Sequence, residues 1–167
     1  MDQQGAMAAS ERAQYAGAVY GSLLAASVIV GSAAEGEPPA AGELIILLIC
    51  TGVVFWITHS YAQVVSHGYP AKPLTWARLR AVVKHEWPLA QASFPPAIAA
   101  AFVNALDGSN VVVAWVALSV AVASQVVWGV LAAARIRSTK CALIVSGAVN
   151  LVLGLTLVAL KVAVSGH

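Results

Sequence analysis

A histidine inside an uncharged stretch is the side chain best placed to do chemistry. His59 lies within residues 44–71, which contain no Asp, Glu, Lys or Arg. Gln63 follows four residues later and His67 eight residues later, so the three share one face of a helix. An ionisable group in an apolar helix is costly and usually faces protein or water, and histidine changes charge near neutral pH. The stripe therefore predicts a proton pathway or the wall of a wet cavity. The alternative is a neutral histidine bonded to a neighbouring carbonyl or hydroxyl.

Polar side chains in other apolar stretches are expected at a similar depth. They are Tyr20, Gln91, Ser93 and Gln125. Together with the His59 stripe they predict a cavity that opens to one side of a membrane. The alternative is a set of hydrogen bonds between helices, each worth about 1 kcal/mol.

Two adjacent prolines interrupt the stretch that contains Gln91 and Ser93. Pro95 and Pro96 lack N–H donors and their rings clash with the preceding turn, so the pair predicts a kinked or broken helix. If the helix restarts there, its N-terminal dipole points into the membrane, where broken transporter helices hold anions. A kink compensated by packing is the alternative.

Enzyme motifs are missing from the sequence. The run His85-Glu86-Trp87-Pro88 lacks the second histidine of a zinc-protease helix, and no nucleophile elbow or phosphate loop occurs. His59 and His67 share one helix face, so they cannot hold a haem from both sides. We expect no catalytic residue, no metal and no other cofactor.

The composition places these residues in a membrane. Hydrophobic residues make up 60% of the 167 residues and charged residues 10%, against roughly 25% charged in soluble domains. Nine Lys and Arg are balanced by seven Asp and Glu, which lacks the basic excess of a nucleic-acid-binding protein. Soluble globular and disordered proteins are therefore excluded, and the charge balance argues against a nucleic-acid-binding protein.

Five charge-free stretches divide the chain. Each reaches the ~20 residues that a helix needs to cross a bilayer, and none shows the strict alternation of membrane β-strands. The predicted fold is an all-α membrane protein with one transmembrane domain over residues 1–167. Its five spans are expected at about 15–33, 43–66, 88–106, 110–134 and 141–164.

The polar segment between the second and third spans is amphipathic. Thr75 can cap a helix that places Trp76, Leu79, Val83 and Trp87 on one face, and Arg78, Arg80 and Lys84 on the other. This pattern predicts a helix at about 75–87 in the inner headgroup layer, with its basic face against anionic lipid. A helix in a water-exposed loop is the alternative.

Lys and Arg also predict the orientation of the chain. Eight of the nine lie before span one, between spans two and three, or between spans four and five. These segments share one side, which the positive-inside rule makes cytoplasmic. We therefore expect a cytoplasmic N-terminus and an extracellular C-terminus.

Small residues recur at helix-packing spacing. Gly17 and Gly21 lie four residues apart in span one, and Gly147, Asn150 and Gly154 lie near one face of span five. Such residues let helix backbones approach closely, either within one protomer or between subunits.

Three short runs carry a resemblance to known sequences: Val19-Tyr20-Gly21, the run from Val54 to Ala62, and His85-Glu86-Trp87-Pro88. With them the chain resembles small uncharacterised integral membrane proteins of actinobacteria. The resemblance implies a bacterial plasma membrane and gives weight to His59 and Glu86. It carries no activity.

The leading hypothesis is a plasma-membrane channel or transporter for a small ion, proton-linked through His59. Its pore is expected in a homo-oligomer, or between span two and the kinked third span. One alternative is an accessory or structural subunit of a larger membrane complex, and another is a lipid-binding membrane protein. Membrane lipids and a small ion are the expected partners, and nucleic acid is not.

Overall fold

The all-α prediction is confirmed for the part of the chain that the structure describes. The computed structural model describes residues 3–33, 37–66, 75–135 and 140–165, which contain helices and no strand. The helices are α1 (Gln3–Gly31), α2 (Ala41–Ser66), α3 (Trp76–His85), α4 (Trp87–Gln91), α5 (Phe94–Ala105), α6 (Asn110–Arg135) and α7 (Lys140–Ser165).

Three helical segments in the described ranges are long and apolar enough to cross a membrane, which indicates a membrane location. They are Ala41–Ser66, Asn110–Ala134 and Lys140–Leu160. The apolar part of α1, Tyr15–Gly31, is shorter. The segment expected as the third span is not one helix, because it is divided between α4 and α5.

The interruption near the two prolines lies slightly earlier than the sequence predicts. Ala92 and Ser93 form a turn in which the Ser93 N–H donates to the Ala90 carbonyl at 3.1 Å. Pro95 and Pro96 then fall in the first turn of α5, where a missing N–H costs little. The prolines thus end the preceding helix and start the next one.

The amphipathic helix is present as α3 with its predicted cap. The Thr75 side chain accepts a hydrogen bond from the Arg78 N–H at 3.4 Å, which satisfies one free donor of the first turn. Trp76 is 77% exposed, whereas Leu79 and Val83 line a groove against α2. The helix ends at His85, two residues before the predicted boundary.

Helix α6 lies at the centre of the fold and packs against α1, α5 and α7. Its buried side chains Ala114, Ala117, Leu118 and Ala121 recur at spacings of three and four residues, which place them on one helix face. Alanines let neighbouring backbones approach closely. The core therefore depends on short side chains and close helix packing.

The segment formed by α3, α4 and α5 returns antiparallel to α2. The Trp56 side chain meets α3 at Val83, Gly52 lies against Ser93, and Leu48 shares the core with Ala97. Along these contacts the residue numbers decrease on α2 and increase on the returning segment. One face of α2 is therefore covered by three successive short helices.

Glycine is required where α1 meets α4. A Cβ atom at Gly21 would overlap the Leu89 carbonyl oxygen and come within 2.8 Å of the Ala92 side chain. Gly42, at the start of α2, has open space around it. These two helical glycines form a matched pair for mutation.

We predict that Gly21→Ala lowers the free energy of unfolding by about 1–3 kcal/mol, because α1 or α4 must shift. Gly42→Ala should leave stability unchanged or raise it by up to about 1 kcal/mol, since alanine favours helix. Thermal unfolding in detergent micelles measures both. Equal effects of the two substitutions would contradict the packing of α1 on α4.

Candidate functional site

A histidine and a glutamate from distant parts of the chain meet beside α2. The Nε2 atom of His59 lies 3.4 Å from the Oε2 atom of Glu86. The glutamate side chain is 8% exposed and the histidine side chain is 44% exposed. Burying a carboxylate is costly unless it is paired, and a protonated His59 would supply that pairing for Glu86.

Glu86 faces α2 because the chain changes helix at this residue. It caps the C-terminus of α3, where its N–H donates to the Val82 carbonyl at 3.0 Å, and it also precedes α4. Pro88 lies in the first turn of α4 and has no N–H with which to continue the hydrogen bonds of α3. The interruption thus fixes the carboxylate at the junction of two helices.

Aromatic side chains hold the same junction against α2. The indole N–H of Trp56, one turn before His59, donates to the Val83 carbonyl at 2.9 Å. The Trp56 and Trp87 rings pack edge to face with centroids 5.0 Å apart, and Trp87 also contacts Phe94. Edge-to-face pairs add about 0.5–1.5 kcal/mol beyond the area that they bury. These contacts hold the helix junction that carries Glu86 against the helix that carries His59.

The partner of His59 differs from the groups that sequence reasoning considered, which were a carbonyl or a hydroxyl. A usable signal was present at the end of α3. Glu86 follows Leu79 by seven residues and Val83 by three, so it continues the apolar face. It is also the one acid among the basic residues of segment 67–87. An acid on an apolar helix face points to a buried partner.

The other predicted pathway residues are dispersed over several elements. Tyr20 on α1 and Gln91 on α4 are exposed, whereas Gln63 on α2 is half-buried. Ser93 is buried against Gly52, and Gln125 is fully buried on α6 with neither amide atom bonded within the described residues. His67 lies outside the residues that the structure describes.

A cavity lined by residues on either side of His59 in α2, but not by His59 itself, is apolar. A groove of about 310 Å³ lies between α2 and α3. Its lining residues are Trp56, Ile57, Ser60, Tyr61, Val64, Leu79 and Val83. The groove therefore does not have the polar lining that the sequence led us to expect beside the histidine.

Predicted packing residues lie at contacts between helices of one protomer. Gly17 and Gly21 of α1 face Leu89 of α4, and Gly154 of α7 faces Val122 of α6. Further along the α6–α7 contact, Gly147 lies near Val130. Asn150 lies against Gly129 and donates to the Ser146 carbonyl at 2.9 Å.

The predicted headgroup residues lie along α3. Arg80 and Lys84 are exposed and Arg78 is half-buried. Within the described ranges no group of three or more His, Cys, Asp or Glu side chains is placed to hold a metal ion.

Comparisons with protein families, with curated proteins and with solved structures found no match. The function proposed below is therefore argued from the residues of this chain.

We predict that His59 and Glu86 are energetically coupled. A double-mutant cycle with His59→Gln and Glu86→Gln should give a coupling free energy of about 0.5–3 kcal/mol, because each substitution alone removes the same contact. Thermal unfolding in detergent at pH 6 measures the cycle.

A control cycle pairs His59→Gln with Glu43→Gln. Glu43 is an exposed carboxylate on the same helix, and its position is about 24 Å along the helix axis from His59. The effects of these two substitutions should add. Equal coupling in both cycles would contradict a specific His59–Glu86 interaction.

Proposed function

We propose that this protein is a multi-pass protein of the bacterial plasma membrane that conducts or transports a small ion, with the His59–Glu86 pair as its protonation site. The observation that carries the proposal is the burial of the Glu86 carboxylate beside His59 on an apolar helix. Ionisable groups at such positions are expensive to keep and commonly mark ion or proton pathways.

The proposed topology has five crossings. The apolar part of α1, helices α2, α6 and α7, and the α4–α5 segment each cross once. This arrangement places the N-terminus in the cytoplasm and the C-terminus outside. It is supported by the position of eight of the nine Lys and Arg on one side.

In the proposed mechanism, protonation of His59 strengthens the contact between α2 and α3. The imidazole takes a proton from water and forms an ion pair with the carboxylate. Losing that proton removes the charge attraction and weakens the contact. His59 is 44% exposed on the surface of the described residues. In the proposed mechanism this surface meets water, so the proton enters without passing through the packed core.

The electrostatic surroundings of the pair are simple. Helix α3 supplies Lys84 and His85 next to Glu86. The other elements packed against α2 carry no charged residue over 15–31, 87–105 and 110–134. The charged residues closest to the pair along the chain are therefore those of α3, which also include Arg78 and Arg80.

The ion path is proposed to lie between protomers, because the interior of the described helices is filled by apolar side chains. Helix α7 offers a surface for such an assembly. Many of its apolar residues are exposed, among them Ile144, Val145, Val149, Val152, Leu155 and Leu160. We therefore propose a homo-oligomer with α7 at the subunit contact.

We predict that purified protein in liposomes carries an ion flux that depends on pH. His59→Ala and Glu86→Gln should each lower the flux by about tenfold, which lies within the usual range for coupling between two sites, and should flatten the pH profile. Fluorescent pH and potential dyes measure both quantities in vesicles held at a set membrane potential.

Thr58→Ala is the control, because Thr58 is an exposed neighbour that bonds within its own helix to Val54. Its flux should equal that of the unmodified protein. Absence of flux at every pH would contradict the transport proposal. An unchanged pH profile in His59→Ala would contradict the role of the histidine.

We predict that Cys141 reacts with a membrane-impermeant maleimide only from the cytoplasmic side. Cys141 is exposed beside Lys140 at the start of α7, whereas Cys50 lies within α2, about 14 Å from the start of that helix. Labelling Cys50→Ala protein in inside-out and right-side-out vesicles measures the orientation. The double variant Cys50→Ala/Cys141→Ala is the unlabelled control. Labelling of Cys141 from the outside would contradict the proposed orientation.

A further inference from the structure

The groove between α2 and α3 has the shape and chemistry of a site for a hydrocarbon chain. Its volume of about 310 Å³ reaches the lower end of the range typical of small-molecule sites. Apolar side chains from both helices form the walls, and Ile57 and Tyr61 on its rim are exposed. The groove therefore opens outward beside a helix that is long and apolar enough to cross a membrane.

One polar atom inside this groove lacks a partner. Ser60 is 5% exposed, lines the groove, and its hydroxyl makes no hydrogen bond within the described residues. Other serines and threonines on exposed helix faces, such as Ser27 and Thr58, bond to the carbonyl four residues earlier. Burying a hydroxyl without a hydrogen-bond partner is unfavourable. An acceptor from a bound molecule would remove that cost.

Basic side chains flank the wall that α3 contributes. Leu79 and Val83 face the groove, and Arg80 and Lys84 each follow one of them by a single residue, about 100° around the helix. Both basic side chains are exposed. Basic residues beside a gap between membrane helices bind anionic lipid headgroups. The groove thus combines an apolar slot with positive charge at one edge.

A second groove lacks both the unpaired hydroxyl and the basic edge of the α2–α3 groove. Helices α6 and α7 enclose about 580 Å³ lined by apolar residues together with Ser119. The Ser119 hydroxyl donates to the Trp115 carbonyl at 2.8 Å, and no charged residue occurs in 108–134 or 141–160. This larger groove has neither the unpaired hydroxyl nor the basic edge.

We propose that the α2–α3 groove binds one acyl chain of an anionic glycerophospholipid from the inner leaflet. The Ser60 hydroxyl is enclosed in the groove wall, so it donates to an ester carbonyl of that lipid once its side chain turns toward the groove. Arg80 and Lys84 attract the phosphate of the lipid. The lipid fills the space between the two helices that the His59–Glu86 pair joins. The proposal depends on the membrane location and is independent of ion transport.

The test is native mass spectrometry of the full chain in mild detergent, titrated with phosphatidylglycerol or phosphatidylcholine. The unmodified protein should retain one phosphatidylglycerol per protomer. Leu79→Trp and Ser60→Phe fill the groove from opposite walls and should each lower the occupancy by about tenfold. Ser119→Phe, which fills the α6–α7 groove, is the matched control and should retain the lipid.

Two further variants separate the contributions. Arg80→Gln/Lys84→Gln should lower the preference for phosphatidylglycerol over phosphatidylcholine by about fivefold for each charge removed. Ser60→Ala should weaken lipid binding about two- to tenfold, because the hydroxyl donates to the lipid. In delipidated protein the same substitution should raise the melting temperature, since it removes a buried unpaired group.

Several outcomes would overturn the proposal. They are the absence of a retained lipid, equal retention by Leu79→Trp, and a dimer that Leu79→Trp dissociates, which would make a second copy the occupant. Melting temperatures of the lipid-free variants check folding, and Leu79→Trp alters a half-buried position. Native mass spectrometry detects bound lipid and does not depend on ion flux. A protein without ion flux can therefore still retain the lipid and support this proposal.

Discussion

Proline cannot donate a backbone hydrogen bond, and this constraint determines how the chain returns along α2. Pro88, Pro95 and Pro96 each remove a donor that a continuous helix would use. The returning segment is therefore three short helices, with junctions at Glu86 and at the Ala92–Ser93 turn. These junctions are packed against α1 and α2. The first of them carries the buried carboxylate.

Close backbone packing and the acidic site are consequences of the same interruptions. Gly21 admits the Leu89 carbonyl and Gly52 admits Ser93, so α4 and the Ala92–Ser93 turn sit tightly between α1 and α2. Trp56 then ties the end of α3 to α2 through the Val83 carbonyl. Because the end of α3 and the start of α4 are both packed against neighbouring helices, the Glu86 side chain between them is held beside His59. The ion pair is thus positioned by backbone packing and not only by its own attraction.

Local patterns in the sequence were sufficient to predict the helices but not the contacts between residues far apart in the chain. The charge-free stretches predicted the long apolar helices, and Thr75 with the Leu79 and Val83 face predicted α3, because capping and periodicity depend on near neighbours. The turn at Ala92–Ser93 lies before the prolines that cause it, since proline is accommodated in a first turn. The His59–Glu86 contact joins residues 27 positions apart, and no local rule encodes that distance.

The buried polar side chains of this chain are not equivalent, and their surroundings decide which of them can respond to conditions. Gln125 is fully enclosed and uncharged at every pH, so its cost is a constant part of the folding free energy. Ser60 has the same lack of a partner, but its residue lines an open groove, where the proposed lipid would supply an acceptor. Only the His59–Glu86 pair combines ionisable groups with partial exposure within this set. The proposed protonation site and the proposed lipid groove therefore lie on neighbouring parts of one contact, the packing of α3 on α2.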